Sequence, residues 1–134
     1  MRTLFADRFA VTGARDHVFV PNLHDLKLIG NQPDVVSPMQ GWNAAVAEIL
    51  SARLVLASSL HGLVIAEAFG IPARYVRLSE TENLFKYQDY VYGTGRTELV
   101  YARSIEEGLE MGGMPPVTWA PDALLAAFPW DLWP

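Results

Sequence analysis

Two periodicities alternate along the middle of the chain. His17-Val18-Phe19-Val20 is rich in β-formers and is stopped by Pro21-Asn22, which predicts a strand over residues 17–20. A second short strand is expected at Asp34-Val35-Val36, after the loop Gly30-Asn31-Gln32-Pro33. Ser37-Pro38-Met39-Gln40 carries a helix-start signature, with Ser37 as N-cap, Pro38 at the first helical position and Gln40 at the third. Trp42, Val46, Ile49 and Leu50 then recur at i, i+4, i+7 and i+8 on one helix face, with Gly41 an unfavourable residue inside the pattern. Leu54-Val55-Leu56-Ala57 is apolar on both alternating faces, as in a strand covered on both sides, and Ser58-Ser59 ends it.

From Leu60 to Phe69 nearly every position is apolar save His61, Gly62 and Glu67, which predicts a buried helix. Phe69-Gly70-Ile71-Pro72 is its stop. Residues 73–78 alternate as the next strand. Residues 83–92 read as a helix, followed by the turn Gly93-Thr94-Gly95. Ser104-Ile105-Glu106-Glu107 opens a further helix with a capping box, and Pro121-Asp122 opens a last one through Phe128. In the first seventeen residues Leu4, Phe5, Phe9 and Val11 fit either a short strand or a helix turn, and Thr12-Gly13 a turn.

The order strand, helix, strand, helix, strand from Val35 to Leu78, with connections of about two to four residues, predicts an α/β fold: a Rossmann-like three-layer α/β/α domain with a mainly parallel sheet. At 134 residues it fits a single domain over 1–134. Residues 111–134 form its Pro/Trp-rich end: from Pro115 onward lie five of the nine prolines and three of the four tryptophans. That segment is expected to strap over the domain.

An apolar fraction of 51% with 19% charged residues excludes a disordered or low-complexity chain. The formal charge of −5 without a basic stripe argues against nucleic acid as a partner. No apolar run is long enough for a membrane span, and the charges among the first twenty residues do not suit an export signal. The cytoplasm is therefore the expected compartment. Without cysteine there are no disulfides or thiolate metal sites, and the three histidines have no metal-ligand spacing, so no metal and no cofactor is expected.

Candidate chemistry gathers after the Leu54–Ala57 strand. In open α/β sheets, ligands bind outside the carboxyl ends of the strands. There Ser58, Ser59 and His61 stand at the start of the buried helix. Free N–H groups, two hydroxyls and the positive end of the helix dipole make an anion site. The bland reading is a capping serine and a packed histidine. Glu67 can face the cleft or pair with an arginine. Lys86, Asp89 and Tyr90 share a helix face, able to reach an anion or sugar or simply to face solvent. Arg96, after its Gly-Thr-Gly turn, can bring a guanidinium to phosphate. Arg74 and Arg77 fall on opposite faces of their strand, so at most one meets the site. His17 and His24 are given no role. Gly93-x-Gly95 is no dinucleotide fingerprint, because no strand–turn–helix surrounds it.

Residues 58–72, Ser-Ser-Leu-His-Gly-Leu-Val-Ile-Ala-Glu-Ala-Phe-Gly-Ile-Pro, resemble the polysaccharide pyruvyl transferase family. The shared pattern is a serine-rich strand end, Leu-His-Gly, an apolar helix and Gly-hydrophobe-Pro. Phe85-Lys86-Tyr87-Gln88-Asp89-Tyr90 is similar to the family's Phe-Lys-x-x-Asp-Tyr segment, and Val20-Pro21-Asn22 to the strand opening its C-terminal half. The resemblance spans roughly residues 18–96.

It implies one half of a GT-B-like architecture in exopolysaccharide biosynthesis. The substrates would be phosphoenolpyruvate and a saccharide acceptor, and the products a pyruvate ketal and phosphate. It implies His61 as the catalytic residue, and Ser58, Ser59, Gly62, Lys86 and Arg96 are the residues expected to bind substrate beside it. Three departures stand out. Ser59 occupies the place where some members have arginine, so Arg74 or Arg96 would have to supply the clamp. Asn22 stands where the family often has histidine. The family's N-terminal half is not seen, so a second copy or a partner chain is expected to supply it, and the domain alone to be inactive. Two other readings are a C-terminal half of a nucleotide-sugar glycosyltransferase and a noncatalytic partner-binding module.

Overall fold

A computed structural model describes residues 7–118 and 120–132. Leu4 and Phe5 lie outside the described residues, as do Trp119, Trp133 and Pro134. Three parallel strands form the sheet, in the order β1 (Arg15–Val20), β2 (Ala52–Ala57), β3 (Ala73–Tyr75). Single-residue parallel bridges extend both edges, Val35 beside Phe19 and Ala102 beside Val76. The expected strand at 34–36 is thus one bridge, and the strand expected over 73–78 stops at Tyr75 apart from the Val76 bridge. With the bridges counted, the order is 35–β1–β2–β3–102. The chain leaves β1 to one side and returns to its other side, which puts a topological switch point between β1 and β2.

Helices lie on both faces, so the chain is α/β, compatible with a Rossmann-like fold. One face of the sheet (Val18, Val20, Val55, Ala57, Tyr75) packs against α2 (Trp42–Leu50), α3 (Leu60–Ala68) and α4 (Phe85–Gly93). The other (Phe19, Leu56, Val76) packs against Ile29 of α1 (Leu23–Ile29) and against Ile105 and Met111 of α5 (Ile105–Met111). Val55, Leu56 and Ala57 are wholly buried, as the doubly apolar pattern requires.

Helix ends follow local chemistry. Gly70, at φ +78°, closes α3: Ile71 N–H bonds to Ala66 O and Gly70 N–H to Glu67 O, a Schellman turn. Gly95, at φ +87°, closes α4 the same way, with Arg96 N–H on Val91 O and Gly95 N–H on Tyr92 O. Ser104 caps α5 by accepting from Glu107 N–H at 3.1 Å. The expected cap at Ser37 does not form. Its Oγ accepts from Met39 N–H and closes a local turn, which competes with helix there. The helix starts four residues later, at Trp42, with Gly41 as its N-cap.

The strap divides in two. Met114 N–H bonds to Ala73 O at 2.7 Å and Thr118 N–H to Thr94 O at 3.3 Å, so residues 114–118 lie against the domain. Residues 120–132, with α6 (Asp122–Ala126) and a 3₁₀ turn (Trp130–Leu132), are exposed throughout. The strap is expected to pack over the domain along its whole length; in the five-residue helix between Pro121 and Pro129 no residue is buried.

Candidate functional site

β1 and β2 end level, with Val20 opposite Ala57. Beyond them the chain turns into α1 and α3. The N–H groups of Ser58 and Ser59 both bond to Val20 O at 3.1 Å. Ser58 is 2% exposed. Its Oγ accepts from Asn22 N–H at 3.1 Å, and its carbonyl accepts from Tyr87 Oη at 2.6 Å and Asn22 Nδ2 at 3.3 Å. Ser58 therefore joins β1, β2 and α4. Ser59 caps α3, its Oγ accepting a long 3.5 Å bond from Gly62 N–H.

Gly62 holds α3 close to the sheet. A Cβ there would lie 2.8 Å from Val20 Cβ and 3.2 Å from Ala57 Cβ. Its need is helix–strand contact, and its N–H is already used by the cap.

His61, second in α3, is exposed, and its side chain bonds to no described residue. The N–H groups of Leu60 and His61 fall in the first turn, where the helix supplies no acceptor. An anion meeting this edge would find two donors, an imidazole and the positive end of a nine-residue helix.

Lys86 reaches the same edge. Its Nζ pairs with the Glu82 carboxylate and lies 5.0 Å from the centroid of the Tyr87 ring. Tyr87 Oη also donates to Glu82 Oε2 at 2.7 Å. Burial opposes the charge on Glu82, but the bonds from Lys86 and Tyr87 outweigh it and hold the carboxyl below its ordinary value. Burial raises the Tyr87 hydroxyl, and Glu82 raises it further.

The sequence reading missed Asp25, Ser79, Glu82 and Tyr87. Asp25, 2% exposed, accepts from Ser79 Oγ at 2.8 Å and Asn22 Nδ2 at 2.9 Å, and its N–H bonds to Asn22 Oδ1 at 2.7 Å. The Asn22-x-x-Asp25 spacing is a helix-start signal that was there to be read. The result is one network from Lys86 through Glu82, Tyr87, Ser58 and Asn22 to Asp25.

Arg96 and Arg74 lie elsewhere. Arg96 forms a two-pronged pair with Glu67 in the last turn of α3, at 2.7 and 2.8 Å, with both side chains under a tenth exposed. Arg74 is likewise buried, bonding the carbonyls of Val100, Gly112 and Gly113 at 2.7–2.9 Å. Neither is placed to clamp an anion beside His61. The arginine at the carboxyl edge is Arg77, two residues beyond β3, whose Nη2 pairs with Glu80 at 2.8 Å and whose buried Nε has no acceptor. Asp89 is exposed, while Tyr90 Oη donates to Glu67 Oε2 at 2.7 Å.

Among the described residues no group of three or more His, Asp or Glu is arranged to hold a metal, and no helix is long and apolar enough to cross a membrane. No protein-family model, curated protein or solved structure matches the chain.

Proposed function

We propose that this chain is a Rossmann-like half of a polysaccharide pyruvyl transferase-like enzyme. Its carboxyl edge receives phosphoenolpyruvate, and a second half, from another copy or a partner chain, completes a GT-B-like site and brings the saccharide. The observation that carries the reading is His61: an exposed imidazole without a partner among the described residues, in the first turn of α3, beside the switch point. The free N–H groups and dipole of α3 suit the phosphate or carboxylate of the donor. Ser58 and Ser59 set the loop that aims them, and Lys86 adds a cation on the same edge. Arg96, already matched by Glu67, takes no part.

In this reading His61, as imidazolium, gives its proton to the methylene carbon of phosphoenolpyruvate. The neighbouring carbon becomes electron-poor, one sugar hydroxyl adds to it and returns its proton to His61, the carbon–oxygen bond to phosphate breaks, and the second hydroxyl closes the ketal as its proton leaves with phosphate.

Calorimetric titration with phosphoenolpyruvate, UDP-glucose and inorganic phosphate tests the proposal. Saturable phosphoenolpyruvate binding that disappears in His61→Ala, with the circular dichroism unchanged, is expected. Binding that survives the substitution removes His61 from the site. Preference for UDP-glucose moves the assignment to a nucleotide-sugar transferase.

One observation favours a partner-docking module instead. Leu124, Leu125, Phe128, Trp130 and Leu132 are all exposed at the C-terminal end. Concentration-dependent self-association in sedimentation, without heat from any ligand, is the result that reading requires.

A further inference from the structure

The other end of α3 borders a cavity of about 270 Å³. Gly70, Ile71 and Pro72 form one wall, and Met114, Pro116 and Val117 of the strap form another. The enclosure is built into the chain. The strap is pinned by main-chain bonds at Met114 and Thr118, and Arg96 Nη1 also reaches Pro115 O at 3.4 Å. Gly113 has to be glycine, since a Cβ would lie 2.6 Å from Pro72 Cβ.

The lining side chains are apolar except for Glu67, whose side chain is 7% exposed. A carboxylate has about four acceptor positions. Three are filled: one on Oε1 by Arg96 Nη1, and two on Oε2 by Arg96 Nη2 and Tyr90 Oη. Among the described residues no donor fills the fourth, on Oε1. The carbonyls ending α3 add the negative end of the helix dipole, so the cavity suits a donor and disfavours an anion.

The geometry points to a second binding site, at the amino edge of the sheet. It would take a small, mainly apolar molecule carrying one hydroxyl or ammonium donor, placed against Glu67 and covered by residues 114–117. The site is independent of the role given to His61. The two residues are six positions apart on α3, about 9 Å along its axis.

Amide NMR spectra of the full chain, titrated with cyclohexylmethanol, cyclohexylmethylammonium and cyclohexanecarboxylate, test it. The alcohol or the ammonium should move the amides of Gly70, Ile71 and Val117 saturably, with Kd on the order of 1 mM for so few atoms. Ser59 and His61 should stay still. The carboxylate should bind at least about tenfold more weakly, since it meets Glu67 as a like charge. Val117→Phe fills the cavity from the strap side and should remove the response. Where its spectrum is not native, Val117→Leu should weaken the response in proportion. The site is refuted if no probe moves those amides, if the carboxylate matches the two donors, or if the folded Val117 variant binds unchanged.

Discussion

Replacing Glu67 by glutamine should cost a large part of the domain's stability. The carboxylate accepts from both Nη atoms of Arg96 and from Tyr90 Oη at 2.7–2.8 Å. Arg96 and Glu67 are 5% and 7% exposed, so solvent does little to screen them. A glutamine leaves the guanidinium charged and buried: its amide oxygen keeps one acceptor, its amide nitrogen sets a donor against a donor, and the other acceptors are Thr94 Oγ1 at 2.8 Å and Pro115 O at 3.4 Å. Breaking one side of a buried pair costs about 3–5 kcal/mol. A domain of this kind has roughly 5–15 kcal/mol in all. With a urea slope of about 1.5 kcal/mol/M, the midpoint should fall by about 2–3 M. The triple variant Glu67→Leu/Tyr90→Phe/Arg96→Met removes both charges and the hydroxyl that would be orphaned. It should return to within about 1 kcal/mol of the wild type, because an ion pair of this burial competes with an apolar cluster of similar volume. Urea unfolding followed by tryptophan fluorescence measures both. A loss below about 1 kcal/mol, the range of exposed pairs, would refute the reasoning. So would a triple variant no more stable than the single one.

Gly62→Ala should cost about 1–3 kcal/mol, because its Cβ would overlap Val20; Val20→Ala in the same chain should restore part of the loss in thermal melts. Arg74→Met should lose about 3 kcal/mol by leaving the carbonyls of Val100, Gly112 and Gly113 without donors. Arg74→Lys should not recover it in urea unfolding, since one ammonium cannot span that fork. Burial pushes the Tyr75 hydroxyl up to about 12 and also raises Tyr87 and Tyr90. For Tyr90 the cause is burial first and then its bond to Glu67. These groups hold their protons more tightly folded than unfolded. Their contribution is complete below pH ~10, the unfolded value, and is lost as pH rises toward 12 and beyond, at up to about 4 kcal/mol per pH unit for three groups. In a Tyr92→Phe/Tyr101→Phe variant, which keeps only these three tyrosines, tyrosinate absorbance should therefore rise in one steep step together with the loss of circular dichroism, and a gradual rise in a still-folded chain would contradict it.

What was legible in the sequence was local. Gly70-Ile71-Pro72 and Ser104-Ile105-Glu106-Glu107 act through neighbours a few residues away, and both form as expected. Ser37-Pro38 is equally local, yet a turn and a helix cap compete for the same hydroxyl, and spacing alone does not decide between them. The sheet order was not legible, because Val35 pairs with Phe19 rather than with the strand that follows it. The setting of Arg96 was not legible for a related reason. A Schellman turn at Gly95 fixes where Arg96 leaves α4, but only the packing of α4 on α3 puts Glu67 within its reach. At the C-terminal end, apolar composition predicted burial. Burial needs a facing surface, and among residues 120–132 none is buried.

Two of the three segments that carry the resemblance, 58–72 and 85–90, form one structural unit. Tyr87 ties α4 to the strand end at Ser58, and Tyr90 ties it to Glu67 at the far end of α3. Gly62 permits contact with Val20, and Gly70 and Ile71 close the helix. Each of these residues therefore has a part in packing or chain reversal that accounts for its place. His61 does not: it is exposed, bonds to no described side chain and fills no contact that the fold needs. His61→Gln should accordingly change stability by no more than about 0.5 kcal/mol, as surface substitutions do. Any effect of the substitution has to appear in the response to a ligand. A variant that unfolds the domain would show that His61 belongs to the scaffold, and the case for an anion site at this edge would lose its central residue.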